Sequence, residues 1–116
     1  IYVSEQAPGD SVIVSLVRIE KSGFVVIHED NQGAPGGILG ASALLPAGES
    51  NNLPPITLSR DTKDGEDIYA MLHRDNGDGK FDKANDSPVL DSVGNEPMMM
   101  IVNVSQDAEA PGIINP

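Results

Sequence analysis

The 116-residue sequence predicts an all-β protein, an antiparallel immunoglobulin-like β-sandwich of about seven strands, and three observations carry that expectation. Apolar residues come in short Val/Ile/Leu/Met runs of strand length. Clusters of Gly, Pro, Asn and Asp punctuate those runs, in a chain holding 12 Gly and 9 Pro. No segment carries a sustained helical stripe with capping residues, so helices have no support. The length fits one domain spanning 1–116 with a single modest core.

The elements follow in order. Residues 1–6 form a short candidate strand, an edge strand or one donated to a neighbour, closed by the turn signal Ala7-Pro8-Gly9-Asp10. Ser11 to Glu20 alternates, with Val12, Val14 and Leu16 on one face and Ile13, Val17 and Ile19 on the other. Lys21-Ser22-Gly23 reads as a tight connection, with Phe24 to His28 returning as the hairpin partner. Glu29 to Gly37 reads as a loop, and Ile38 to Leu45 as a strand or a single helical turn. Pro46 to Pro55 reads as loop, Ile56 to Ser59 as a short strand and Arg60 to Asp67 as an acidic turn. Ile68 to His73 alternates cleanly, Ile68, Ala70 and Leu72 opposing Tyr69, Met71 and His73. Arg74 to Pro97 lacks a strong strand, Met98 to Ser105 is the last one, and residues 106–116 form a tail. Phe24 to Ile27 and Met98 to Val102 are apolar on both faces, so a loop or another subunit is expected to cover the outer one.

Charge excludes some partners. Seven Lys and Arg face eighteen Asp and Glu, a net charge of −11, which repels nucleic-acid phosphates and anionic lipid surfaces. No apolar run reaches the roughly 18 residues of a membrane-spanning helix, so no direct membrane insertion is expected. Without Cys there is no disulfide framework, thiol nucleophile or Cys-type zinc site.

The strongest chemical signal is Asp75-Asn76-Gly77-Asp78-Gly79-Lys80-Phe81-Asp82, followed by Asp86. Ca²⁺ takes six to eight oxygens, and closely spaced Asp and Asn with Gly between them supply such donors, so Asp75, Asn76, Asp78, Asp82 and Asp86 are the candidate calcium ligands. An EF-hand does not fit, because Arg74 falls at its first carboxylate. The plainer reading is a solvated loop whose Asn-Gly and Asp-Gly pairs make turns. His28 and His73 each end an apolar strand and suit copper or zinc as a pair, against the plainer reading of two strand-end histidines. Met98-Met99-Met100 reads as core packing. Asn85 and Asn103 stand in glycosylation sequons. No Gly-x-Ser-x-Gly elbow and no nucleophile–base arrangement is present, so no enzymatic activity is expected.

Several ordered motifs carry a resemblance. Gly23-Phe24-Val25-Val26-Ile27-His28, Gly37-Ile38-Leu39-Gly40-Ala41-Ser42, Leu45-Pro46-Ala47-Gly48, Ala70-Met71-Leu72-His73-Arg74-Asp75 and Gly79-Lys80-Phe81-Asp82 follow one another. Together they resemble an uncharacterised β-rich domain, a domain of unknown function, of secreted and cell-surface proteins of archaea, notably halophiles, and some bacteria. The likeness covers roughly Val3 to Val104. This chain has Asn85-Asp86-Ser87-Pro88-Val89 where that domain usually carries an Asp-Gly-Pro-Tyr element. The resemblance implies an extracellular location and a β-rich fold, and no particular activity.

The expectation for function is a non-enzymatic extracellular structural protein, a self-assembling subunit of a surface filament or surface layer that exchanges a terminal strand to form a homopolymer. The opening Ile1-Tyr2-Val3 reads as an already processed start. The alternative is a calcium-stabilised cell-surface binding or adhesion module of a larger protein.

Overall fold

Strand character follows the alternation in the sequence, and in the computed structural model every pairing between strands is antiparallel. The structure describes Val3 and residues 6–51, 53–81, 88–89 and 98–106. The strands are β1 (Ser11–Val12), β2 (Leu16–Ile19), β3 (Gly23–Asn31), β4 (Ala34–Ala41), β5 (Gly48–Asn51), β6 (Ile56–Thr57), β7 (Asp67–Arg74) and β8 (Met99–Asn103). No helix occurs among the described residues. One sheet has the order β4-β3-β7-β8, and two ribbons pair β1 with β6 and β2 with β5.

These pieces share one core. Val25 and Ile27 of β3, Ile68, Ala70 and Leu72 of β7, and Val102 of β8 pack with Val12, Val17, Ile19 and Ile56 from the ribbons. The alternation expected along β7 is the one observed. Ile68, Ala70 and Leu72 enter the core, and Tyr69, Met71 and His73 occupy the other face.

Ser11 to Glu20 is not one strand. Val12 and Val14 are buried, then Val17 and Ile19, so the buried phase slips by one residue near Ser15. A one-residue slip turns the opposite face inward, and the chain uses it to pass from the β6 ribbon to the β5 ribbon. The expected β2–β3 hairpin does not form either. Gly23 instead carries the chain into the four-stranded sheet, its backbone pairing with Leu45. A Cβ at Gly23 would stand 2.2 Å from the His73 carbonyl oxygen, so only glycine admits this crossing.

Two expected loops are strands. Glu29 to Gly37 is mostly the β3–β4 hairpin, turned by Gln32 (φ 54°) and Gly33 (φ 88°), the two positive angles of a type I′ turn. Gly48 to Asn51 lies in the expected Pro46–Pro55 loop yet is β5, exposed except for half-buried Ser50 opposite Val17, while its backbone pairs with β2. The Ile38–Leu45 segment is strand as far as Ala41.

The outer face of β3 and β7 is buried within the chain. Phe24, Val26 and His28 lie beside His73, Met71 and Tyr69, all outside the main core cluster. The expected cover is therefore intramolecular over β3. On β8, Ile101 keeps 59% of its surface in solvent with respect to the described residues.

Candidate functional site

The β3–β7 register sets Phe24 opposite His73 and His28 opposite Tyr69. The two histidines thus stand at opposite ends of one face, with Val26 and Met71 between them in register. Their rings run along the face toward each other, bringing His28 Nε2 within 3.4 Å of His73 Nε2. The ring centroids are 5.6 Å apart and the planes differ by 19°, so the imidazoles lie nearly end to end. Both are buried, at 7% and 5% exposure.

The Gly36 carbonyl fixes one tautomer. It lies 2.9 Å from His28 Nδ1 and can only accept, so that nitrogen carries the proton. In the neutral ring His28 Nε2 is then a lone pair aimed at His73. Register shifts between β3 and β4 around His28 bring the Gly36 carbonyl to this position. Tyr69 sits beside His28 in register, and its hydroxyl donates to Asp30 Oδ1 at 3.0 Å. Burial, reinforced by that carboxylate, holds the Tyr69 phenol above its ordinary value.

Phe81 covers the other end. Its ring meets His73 edge-on at 5.4 Å and Phe24 at 5.6 Å. The acidic turn delivers it. Asp75 accepts from the Gly79 N–H at 3.2 Å, Asn76 from the Asp78 N–H at 3.3 Å, and Asp78 from the Lys80 N–H at 2.9 Å. The turn gathers Asp75, Asn76 and Asp78, while Asp82, Asp86 and the Asn85 sequon lie outside the described residues. Among the described residues, no group of three or more His, Cys, Asp or Glu is placed to hold a metal ion. Asn103, the other sequon residue, donates through Nδ2 to Asp67. Beyond the turn, the chain rejoins the sheet at Val89, whose N–H donates to the Leu72 carbonyl.

A second feature lies on the edge of β8. Of the candidate strand 1–6, Val3 and Gln6 are described; Val3 is buried in the main core. Gln6 makes a parallel bridge to Val104, donating to the Asn103 carbonyl at 3.2 Å and accepting from the Ser105 N–H at 2.8 Å. Met98, Met99 and Ile101 are exposed alongside. The tail 107–116 lies outside the described residues.

Comparison with known families bears on this arrangement. The family described as "Domain of unknown function (DUF7282)" matches residues 1–105. The chain belongs to this family. The DUF7282 match takes in all eight strands, both histidines, the acidic turn and the segment beside β8. No curated protein and no solved structure matches the chain.

Sequence reasoning singled out both histidines but neither Phe81 nor Gly36, which hold them. Phe81 carried a signal, an aromatic next to a turn in a chain with few aromatics. Gly36 carried none, because only the β3–β4 register gives its carbonyl a role.

Proposed function

We propose that this domain is a non-enzymatic structural unit of an extracellular surface assembly, a filament or layer, joined by exchange of the segment 1–6. The observation that carries this reading is the seat of that segment. Val3 fills the core and Gln6 bonds along β8, contacts that a neighbour's copy can make equally well. The turn Ala7 to Asp10 is the hinge such an exchange needs. Exposed Met99 and Ile101 on the same edge strand favour association there. A net charge of −11 keeps single subunits soluble until they join. A four-stranded sheet and two ribbons around one core also favour reading the fold as an immunoglobulin-like sandwich. Electron microscopy and sedimentation of the full chain test the proposal: ordered polymers are expected, and their loss on deleting residues 1–6. Monomers at every concentration, or unchanged polymers after the deletion, sink it.

A calcium-stabilised binding module is the second reading, favoured by the gathering of Asp75, Asn76 and Asp78 in one turn. It requires the melting midpoint to rise with Ca²⁺, fall with chelator, and lose that response in Asp78→Ala.

A further inference from the structure

We propose that His28 and His73 form a linear two-nitrogen site for a soft monovalent cation, Cu(I) or Ag(I). Metal-binding histidines characteristically donate their second ring N–H to a carbonyl, which fixes the tautomer and raises ligand basicity. His28 does this toward Gly36 at 2.9 Å, and its Nε2 faces His73 Nε2. The 3.4 Å between those nitrogens is long for an N–H···N hydrogen bond and short for two rings that ignore each other.

Ring direction selects the ion. Zinc wants four ligands in a tetrahedron, which requires rings converging at an angle and further donors. These rings instead lie nearly end to end, and the described residues offer no third His, Cys, Asp or Glu to complete such a set. A closed-shell monovalent ion accepts two imidazole nitrogens in a line and asks for nothing more. Its single charge also costs less to bury than a divalent one among Phe24, Val26, Met71 and Phe81. Metal–nitrogen bonds of about 2 Å on that line place the nitrogens about 4 Å apart, so each ring withdraws by about 0.3 Å. Phe81 closes over His73 and keeps competing water away. The site binds; it transfers no electron.

Titration of the full chain with Ag(I), and with Cu(I) in anaerobic competition against a chromophoric chelator, tests this. Nitrogen-15 NMR of the histidine side chains and bound stoichiometry are the readouts. One equivalent is expected to bind, shifting the Nε2 signals of both histidines together, and to be lost in His28→Gln and in His73→Gln. Met98 and Met99 are exposed thioethers and compete for the same ions, so a Met98→Leu, Met99→Leu double variant is expected to keep the equivalent. An ion that stays in both histidine variants, leaves with the methionines, or never binds the wild type overturns the site. Where a histidine variant does not fold, the wild-type spectrum decides: Nε2 signals unmoved at one equivalent overturn it equally.

Discussion

The side-chain amide of Gln6 meets both backbone polar groups of Ile13, Nε2 donating to the carbonyl at 3.2 Å and the Ile13 N–H donating to Oε1 at 3.0 Å. The Gln6 backbone meanwhile pairs with Asn103 and Ser105. One residue thereby ties the edge of β8 to the bend between β1 and β2, where no ladder runs. Gln6→Ala leaves both Ile13 groups without these bonds, and the expected loss is about 1–3 kcal/mol. Gln6→Glu keeps the acceptor, loses the donor and is expected to fall between. Urea midpoints of the three proteins check the order.

Gly40 marks the closest approach between layers. A Cβ there would lie 2.3 Å from the Thr57 carbonyl oxygen and 3.2 Å from Ile56 Cγ2, both on β6. Backbone cannot yield as a side-chain tip does, so Gly40→Ala forces β4 away from β6 at a cost of about 1–3 kcal/mol. At Gly9 the same methyl meets nothing within 4 Å. Gly9→Ala is expected to stay within about 0.5 kcal/mol of wild type. Thermal melts of the pair separate close packing from a general glycine effect.

β7 was legible because one face of Ile68–Leu72 enters the core and the alternation is local. The Ser11–Glu20 run concealed two strands, because its phase slip at Ser15 acquires meaning only from partners β6 and β5. β5 was illegible for the same reason: Gly48-Glu49-Ser50-Asn51 has no apolar pattern, and β2 alone makes it a strand. Of the site, both histidines were visible at the ends of apolar runs, although β3 continues past His28 to Asn31. Their end-to-end contact depends on the β3–β7 register, a long-range property no local pattern encodes.

Acid is expected to loosen the Arg60–Glu66 corner. Arg60 donates through Nη1 and Nη2 to the two Glu66 oxygens, and the Lys63 N–H donates to Oε1 at 3.0 Å. The Arg60 hydrogen bonds outweigh desolvation and hold the Glu66 carboxyl below its ordinary 4.5. A carboxyl depressed by folding contributes stability above its unfolded value and loses it as pH falls through the folded one. Stability is therefore expected to decline below about pH 4.5, and Glu66→Gln to flatten that decline. Urea midpoints across pH 2 to 7 check it; parallel profiles for both proteins contradict it. The Glu29–Arg60 pair, 3.3 Å apart and well exposed, is expected to add little beyond salt sensitivity.

Phe81→Ala removes the edge contacts to His73 and Phe24. Those contacts are expected to contribute about 0.5–1.5 kcal/mol beyond the area they bury. The sharper readout is access: diethylpyrocarbonate is expected to modify His73 faster in the variant while the fold persists. An unchanged rate removes Phe81 as the cover.

Val3 decides whether the segment beside β8 is replaceable from outside. Its side chain is 1% exposed within the core, so Val3→Ala is expected to cost about 2 kcal/mol. That cost alone does not distinguish a strand held in place from one that exchanges. A chain lacking residues 1–6, mixed with a synthetic peptide of residues 1–9, does. The peptide supplies Val3 for the core and the Gln6 amide for Ile13, without covalent connection to either. Recovery of the wild-type melting midpoint, rising with peptide concentration, is expected by mass action. A Val3→Asp peptide buries an unpaired carboxylate and is expected to restore nothing. Equal recovery with both peptides means that backbone pairing along β8 suffices. No recovery with either means the segment works only in its own chain, and exchange between subunits loses its physical basis.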